Sequence, residues 1–447
     1  MSEWKSYQLG ALARFQRGVT WSKDQETTEP DSSCVPVLRI PNIQEQLDTS
    51  NLIWLKGVRS ESIRQCAAAK DWVLMVGSNG NPDRVGNCVL ITEANEFLFA
   101  SFLVGIEPTH KSELSPDYMF RLLRGPEIQR YISDDVQGST GLSNINLSRL
   151  KAKAIEIPSV AVQRRIATIL TTMDEVIEAT EKLVEKHQQI KAGLMHDLFT
   201  RGLWTRPELA RGDHKGLPCE ATAKEGQLRP TSEEAPGLYQ DSPLGLIPKA
   251  WKAKLLDVLA KRGSGHTPNR HTPNFWDGGI KWVSLADSSN LDQLYISETE
   301  KEISLLGIEN SSAVLHPAGI VVLSRDAGVG KSAITTCPMA VSQHFMCWLC
   351  GPELDNHYLY YWLQDQKRVF ENISTGTTIP TIGLGFFRRY KIAVPSDMNE
   401  QQAIRSSLLS VDETLFALQS DLAKLRQQKQ GLMHDLLTGR VRVNSIS

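Results

Sequence analysis

A gapless internal repeat constrains this chain more than any other feature. Gln163 to Thr200 reads QRRIATILTTMDEVIEATEKLVEKHQQIKAGLMHDLFT, and Gln401 to Thr438 reads QQAIRSSLLSVDETLFALQSDLAKLRQQKQGLMHDLLT. At an offset of 238 the segments share 16 of 38 residues, where chance gives roughly two or three. The block Gly193-Leu194-Met195-His196-Asp197-Leu198 returns unchanged as Gly431-Leu432-Met433-His434-Asp435-Leu436. The chain carries a duplicated scaffold.

Both copies have a helical pattern with a 3.5-residue apolar period, the signature of a coiled-coil seam. In the second copy the seam runs through Leu408, Val411, Leu415, Leu418, Leu422, Leu425, Lys429, Leu432 and Leu436. In the first it runs through Leu170, Met173, Ile177, Thr180, Val184, His187, Lys191, Leu194 and Leu198, weaker but with its lysine at the same place. Pro158 and Pro395 precede the two stretches and end strand-like runs. A helix of 38 residues is about 57 Å long at about 1.5 Å per residue. Two such helices with matching seams pair most simply with each other, as an antiparallel coiled coil. The competing arrangement packs each helix on its own domain.

Before each helix lies a region of about 150 residues, and the two regions are only faintly alike. Each opens on Trp-Lys (Trp4-Lys5, Trp251-Lys252), and a Gly/Thr loop follows (Arg17 to Thr20, Arg262 to Thr267). Next come short apolar strands, a Gly-containing turn (Val73 to Gly86, Ile320 to Gly330), and a small-polar loop (Gly138-Ser139-Thr140, Gly376-Thr377-Thr378). Short strands mixed with helices at Pro116 to Ile132 and Asn356 to Ile373 read as an α/β or α+β class. The expected organisation is a globular domain over 1–158, a long helix over 159–200, a Pro-rich linker over 201–247, a second domain over 248–396, a second helix over 397–440 and a tail over 441–447. The result is a pseudo-two-fold repeat in which the scaffold has stayed alike and the carried domains have diverged.

Composition narrows the function. A chain of 447 residues exceeds one compact core. No run of about 18 apolar residues exists to span a membrane, and Met1 to Gly10 lacks a signal-peptide pattern, so a cytoplasmic location is expected. Seven scattered cysteines read as reduced thiols. A net charge of −2 excludes a uniformly basic polycation, so nucleic-acid binding would come from local patches.

Catalytic signatures are missing. Gly328-Val329-Gly330-Lys331-Ser332 imitates the end of a phosphate loop, but Arg325 stands where the first glycine belongs, so it reads as a turn. Cys347-Trp348-Leu349-Cys350 is a lone pair in an apolar run and reads as structural thiols. The helical His196 and His434 lack a nucleophile at useful spacing, and adjacent carboxylates such as Asp174-Glu175 diverge by about 100° on a helix. No zinc-protease, serine-hydrolase, dinucleotide-binding or amino-methyltransferase motif is present. The residues point to no catalysis and no metal.

The order of these features resembles the DNA-specificity subunit of type I restriction-modification systems, over nearly the whole chain. The likeness rests on the duplicated helices, which open with Val162-Gln163-Arg164-Arg165-Ile166-Ala167 and Glu400-Gln401-Gln402-Ala403-Ile404, and on their GLMHDL ends. It rests also on Asp241-Ser242-Pro243-Leu244-Gly245-Leu246-Ile247-Pro248 before Trp251, and on Gly138-Ser139-Thr140 with Asn144-Ile145-Asn146-Leu147 before Pro158. The second copy departs from the last pattern, with Gly376-Thr377-Thr378-Ile379-Pro380. The resemblance implies two target-recognition domains, each reading one half of a bipartite, asymmetric site on double-stranded DNA. It implies paired helices that fix the spacing and dock two copies of the modification (methyltransferase) subunit. Restriction subunits join that core, and S-adenosylmethionine, ATP and Mg belong to the partners, so this chain would need no cofactor and be non-catalytic.

Base readout favours polar and cationic side chains on loops. The candidates in the first domain are Arg17, Thr20, Arg39, Asn42, Ser78, Asn79, Arg84, Ser139 and Thr140. In the second they are Arg262, Ser264, His266, Thr267, Ser284, Arg325, Lys331, Gln343, Thr377 and Thr378. Charge supports this weakly: residues 1–160 carry 17 Lys/Arg against 19 Asp/Glu, and residues 248–396 carry 15 against 13. Near-neutral domains leave a competing reading open, a scaffold that presents two protein-binding modules on a coiled coil. A nuclease or methyltransferase with an unrecognised site is a more remote one.

Overall fold

Pro158 and Pro395 have no amide hydrogen to extend a strand, and directly after them the chain turns helical. In the computed structural model, which describes residues 4–93, 96–134, 137–139, 141–216, 223–374 and 381–443, the two long helices run Val160–Arg201 and Met398–Leu437. The same set of internal bonds locks the first turn of each. Gln163, fully buried, accepts from the Ser115 amide (2.8 Å) and donates to the carbonyls of Glu113 (2.8 Å) and Pro158 (2.9 Å). Gln401 does the same with Asp355 (2.9 Å), Glu353 (3.0 Å) and Pro395 (3.2 Å).

Packing divides the chain into two units, Met1–Lys182 with Gln419–Ser447, and Leu183–Leu418. Each unit gathers one globular domain and a piece of both long helices.

In the first unit a four-stranded antiparallel sheet takes the order Ala13–Arg17, Leu103–Pro108, Val73–Val76, Cys88–Leu90. Val73-Leu74-Met75-Val76 is buried throughout because both sheet faces are covered. Val73 and Met75 face a core with Tyr118, Met119, Ile166, Leu170, Met433 and Leu436. Leu74 and Val76 face Leu38, Leu98 and Phe99 of a smaller second sheet. Gly125-Pro126 breaks the expected single helix into Pro116–Arg124 and Pro126–Ser133. Lys5–Gln8 pairs with Ala154–Ile157 and closes the domain below the long helix.

The second unit repeats this plan. Its main sheet is ordered Ala260–Ser264, Phe345–Cys350, Val321–Ser324, Ser332–Thr335, Tyr295–Ile296. Val321 and Leu323 face a core with Tyr358, Leu198, Ile404 and Leu408, while Val322 faces Val341, Phe345 and Cys347. Trp251–Leu255 pairs with Lys391–Pro395 as the closing strand. The linker is largely folded. Arg206–Arg211 is a helix, Trp204 is buried, and the Arg229 guanidinium is bonded to Glu208 (2.6 Å) and Glu400 (2.7 Å). Buried charges hold such a place only when paired and hydrogen-bonded.

The long helices pair antiparallel in both units. In the first, Lys429 bridges Asp174 (2.6 Å) and Arg426 bridges Glu181 (2.7 Å). In the second, Lys191 bridges Asp412 at 2.5 Å. At the offset of 238, Asp174 corresponds to Asp412 and Lys191 to Lys429, so the two bridges are one contact repeated. Each aspartate also accepts from its own domain, Asp174 from Arg121 and Asp412 from the Tyr361 hydroxyl (2.7 Å). Every seam position from Leu170 to Leu198 and from Leu408 to Leu436 is buried or half-buried. Among the described residues no helix is long and apolar enough to cross a membrane.

Candidate nucleic-acid interface

The two domains present equivalent loops, and equivalent hydrogen bonds hold them. The first is the Gly/Thr loop. Gly18 lies so close to the strand Leu98–Phe99 that a Cβ there would sit 2.1 Å from the Phe99 carbonyl oxygen. Gly265 lies against Val341 in the same way, with a Cβ 1.5 Å from its carbonyl oxygen. Only glycine allows that approach. It leaves Arg17 and Thr20 exposed in one domain and His266 exposed in the other. Thr267 donates to the Gln343 amide oxygen (2.6 Å), and Ser264 donates to the Phe345 carbonyl (3.0 Å).

The second loop is a short 3₁₀ turn after the apolar strand, Ile40–Asn42 and Leu285–Ser289. Here several candidate residues have internal duties. Asn42 is 1% exposed, accepts from the Arg39 amide (2.7 Å) and donates to the carbonyls of Asp48 (2.8 Å) and Asn51 (3.3 Å). Asp287 takes the same place and accepts from the amide (2.8 Å) and hydroxyl (3.0 Å) of the buried Ser284. Arg84 donates to the Ile43 carbonyl (2.8 Å), and Lys331 donates to the Ser288 carbonyl (2.9 Å). Both cations therefore latch the turn. Arg39 reaches the Asn51 carbonyl (3.4 Å), and Arg262 is paired with Asp257 at 2.9 Å. The sequence does not separate such tethers from DNA-reading cations, because both sit in polar loops.

The third segment is the turn that anchors the small-polar loop. Ser78 is buried and donates to Asn144, whose strand pairs with Ser78–Asn79 on one side and Gln137–Ser139 on the other. That sheet brings the backbones of Ser78, Asn79 and Ser139 together; Asn79 itself accepts from the Asn81 amide (2.8 Å). In the second domain Thr381 donates to Asp326 across the equivalent bridge, with Arg325 beside it and its Nε 3.6 Å from the same carboxylate. Thr140, Thr377 and Thr378 lie outside the described residues, and Ser139 is described by its backbone alone.

Sequence reasoning passed over residues at this junction. Phe102 is 49% exposed, and its carbonyl accepts from the amides of Gly77 (2.8 Å) and Ser78 (3.2 Å). The equivalent carbonyl of His344 accepts from Arg325 (3.0 Å), and the His344 ring meets Asp326 through Nδ1 at 2.8 Å. No polar-loop rule selects a phenylalanine. Asp326 is invisible as a ring anchor until the fold pairs it with residues 18 and 55 positions away. A cavity of about 300 Å³ in the first unit is lined by Leu122, Gly125, Met433, His434 and Leu437, and no candidate reading residue touches it. Among the described residues no cluster of His, Cys, Asp and Glu could hold a metal ion.

Comparison with known proteins meets this duplicated framework twice. The family model for the type I restriction modification DNA specificity domain matches residues 1–191 and again 248–425. The chain belongs to this family. The HindI specificity subunit of Haemophilus influenzae is 22% identical across 99% of this chain and 100% of its own length. The MjaVIII specificity subunit of Methanocaldococcus jannaschii is 22% identical across 78% of this chain and 76% of its own. In fold, the chain is similar to the S subunit of a type I restriction-modification system from M. genitalium (TM-score 0.54, 13% identity, 97% of this chain and 96% of that one). A chain from a structure on complex assembly and conformational transition of the type I R-M system gives TM-score 0.58 at 15% identity, over 98% of each chain. Specificity domains of this family thus occur twice here, each with its own set of loop residues.

Proposed function

We infer that this chain is the non-catalytic specificity subunit of a type I restriction-modification complex, and that its two domains read the two halves of a bipartite, asymmetric DNA target. One observation carries the reading: the specificity domain is matched twice, and the loop anchors are repeated while the side chains at the loop surfaces differ. Arg17, Thr20, Asn79 and Ser139 with Thr140 form the reading set of the first domain. His266, Thr267, Gln343, Arg325 and the Thr377-Thr378 loop form that of the second. Arg39, Arg84, Lys331, Asn42, Ser284 and Ser78 act behind these sets, holding loops in shape. Arg262 and Ser264 flank the second set.

The antiparallel helix pair serves as the ruler between half-sites. Two heads reading the same face of a duplex need a spacing fixed against a repeat of about 34 Å, which a stiff helix pair supplies and a flexible linker does not. The exposed side of that pair docks two modification subunits, which bring S-adenosylmethionine; restriction subunits with ATP and Mg complete the complex in the cytoplasm. Near-neutral domains fit a reader whose partners supply much of the backbone affinity.

Selection from a pool of random duplexes by the full chain with its modification subunit tests the reading. Two short conserved blocks separated by an unread spacer of fixed length are expected. A single contiguous block, or no enrichment, overturns it.

A further inference from the structure

We propose that residues 102 and 344 are the specificity-determining positions at the centre of each reading face: Phe102 makes apolar contact with a thymine methyl in one half-site, and His344 accepts a hydrogen bond from a base amino group in the other. The proposal rests on the DNA-reading function above and names which side chains carry it.

Two reading segments meet at the short turn that carries this position in each domain. In the first, the Ser101 amide donates to Val19 of the Gly/Thr loop (2.9 Å), and the Phe102 carbonyl binds the turn that anchors the small-polar loop. In the second, Thr267 of the Gly/Thr loop donates to Gln343, and the His344 carbonyl binds Arg325 of the corresponding turn. The backbone register is the same: Leu103 donates to the Ala100 carbonyl (2.8 Å), and Phe345 donates to that of Ser342 (3.2 Å). Whatever base step the loops meet, the backbone of this residue is tied to the turn on one side and its neighbour to the Gly/Thr loop on the other.

The two side chains are built for different edges. Phe102 leaves half its surface in water where neighbouring loops are polar, and a thymine methyl is the apolar group that the major groove offers. His344 is held by the Asp326 carboxylate, itself fixed by Thr381. With Nδ1 bonded to a carboxylate, Nε2 is the ring nitrogen left to face a base, and the Gln343 side-chain nitrogen 3.4 Å away is the donor that a base amino group would replace. Adenine N6 and cytosine N4 present the matching donors. The pseudo-symmetric framework thus carries an apolar reader in one domain and an acceptor in the other, which makes the target asymmetric.

The random-duplex selection, repeated with Phe102→Ala and His344→Ala in the full chain with its modification subunit, tests this. Phe102→Ala is expected to relax one thymine preference roughly ten-fold in one block and leave the other block intact. His344→Ala is expected to relax an A or C preference in the other block, with His344→Gln, which keeps an acceptor, retaining it. The unaltered block in each selection reports a folded complex. Should Phe102→Ala lose both blocks, Phe102→His, which keeps a ring, decides: a changed base at that position supports the proposal. An unchanged motif in these variants, or both positions mapping to one block, overturns it while leaving the bipartite reading standing. A wild-type chain that selects no split motif removes the DNA reading and this proposal together.

Discussion

Asn42 and Arg84 show how a polar loop residue is divided between reading and holding. The Asn42 amide satisfies one backbone amide and two carbonyls inside the turn, so truncation leaves buried polar groups without partners. Asn42→Ala is expected to lower stability by about 1–3 kcal/mol, read as a lower melting temperature of the full chain. An unchanged melting temperature would contradict the capping role. The repeat supports this assignment, since Asp287 caps the same turn in the second domain and the Arg84 latch returns as Lys331. From the sequence alone all these residues look alike, because a cation aimed at a carbonyl and a cation aimed at a phosphate share composition and loop context. What distinguishes them is three-dimensional: Arg84 and the carbonyl it holds are 41 residues apart. Phe102 is hidden for the opposite reason, since polarity is the usual guide to base-reading residues and this one is apolar.

The long helices are the part most legible in the sequence, because a 3.5-residue apolar period dictates one face and that face has to be covered. The repeated lysine of the seam is equally legible as a position; its partner is not, until the antiparallel register sets Lys429 against Asp174 and Lys191 against Asp412. The break at Gly125-Pro126 and the folding of the linker around Arg229 depend on tertiary partners and leave little periodic trace. Burial pushes the Asp174 carboxyl up, but hydrogen bonds and charge from Lys429 and Arg121 outweigh it and hold its pKa below the ordinary 3.8. A depressed folded-state pKa gives stability that is present above the unfolded value and lost as pH falls through the folded one. Asp174→Asn is therefore expected to remove part of the destabilisation seen on acidification below about pH 4. Melting temperatures followed from neutral to acid pH measure this, and parallel curves for both proteins would contradict the ion-pair assignment.

At the scale of the whole molecule, duplication turns one reading module into a two-headed one. The copies keep what positions loops: the Gln163 and Gln401 locks, the glycines against a strand, the cation latches. They differ in what the loops display. If the helix pair is the ruler, its length sets the spacer. Seven residues added at matching seam positions of both helices preserve the heptad face and lengthen each by about 10 Å, close to three base pairs of duplex. The half-site sequences are expected to stay as they are while the unread spacer grows by about three base pairs in duplex selection. A constant spacer would contradict the ruler.

The most direct test of a bipartite DNA reader is single-molecule methylation mapping of the genome in cells that carry the modification partner, with and without this chain. A split asymmetric motif with methyl-adenine in both halves is expected, present with the chain and absent without it. Methylation that is the same in both cells would contradict it.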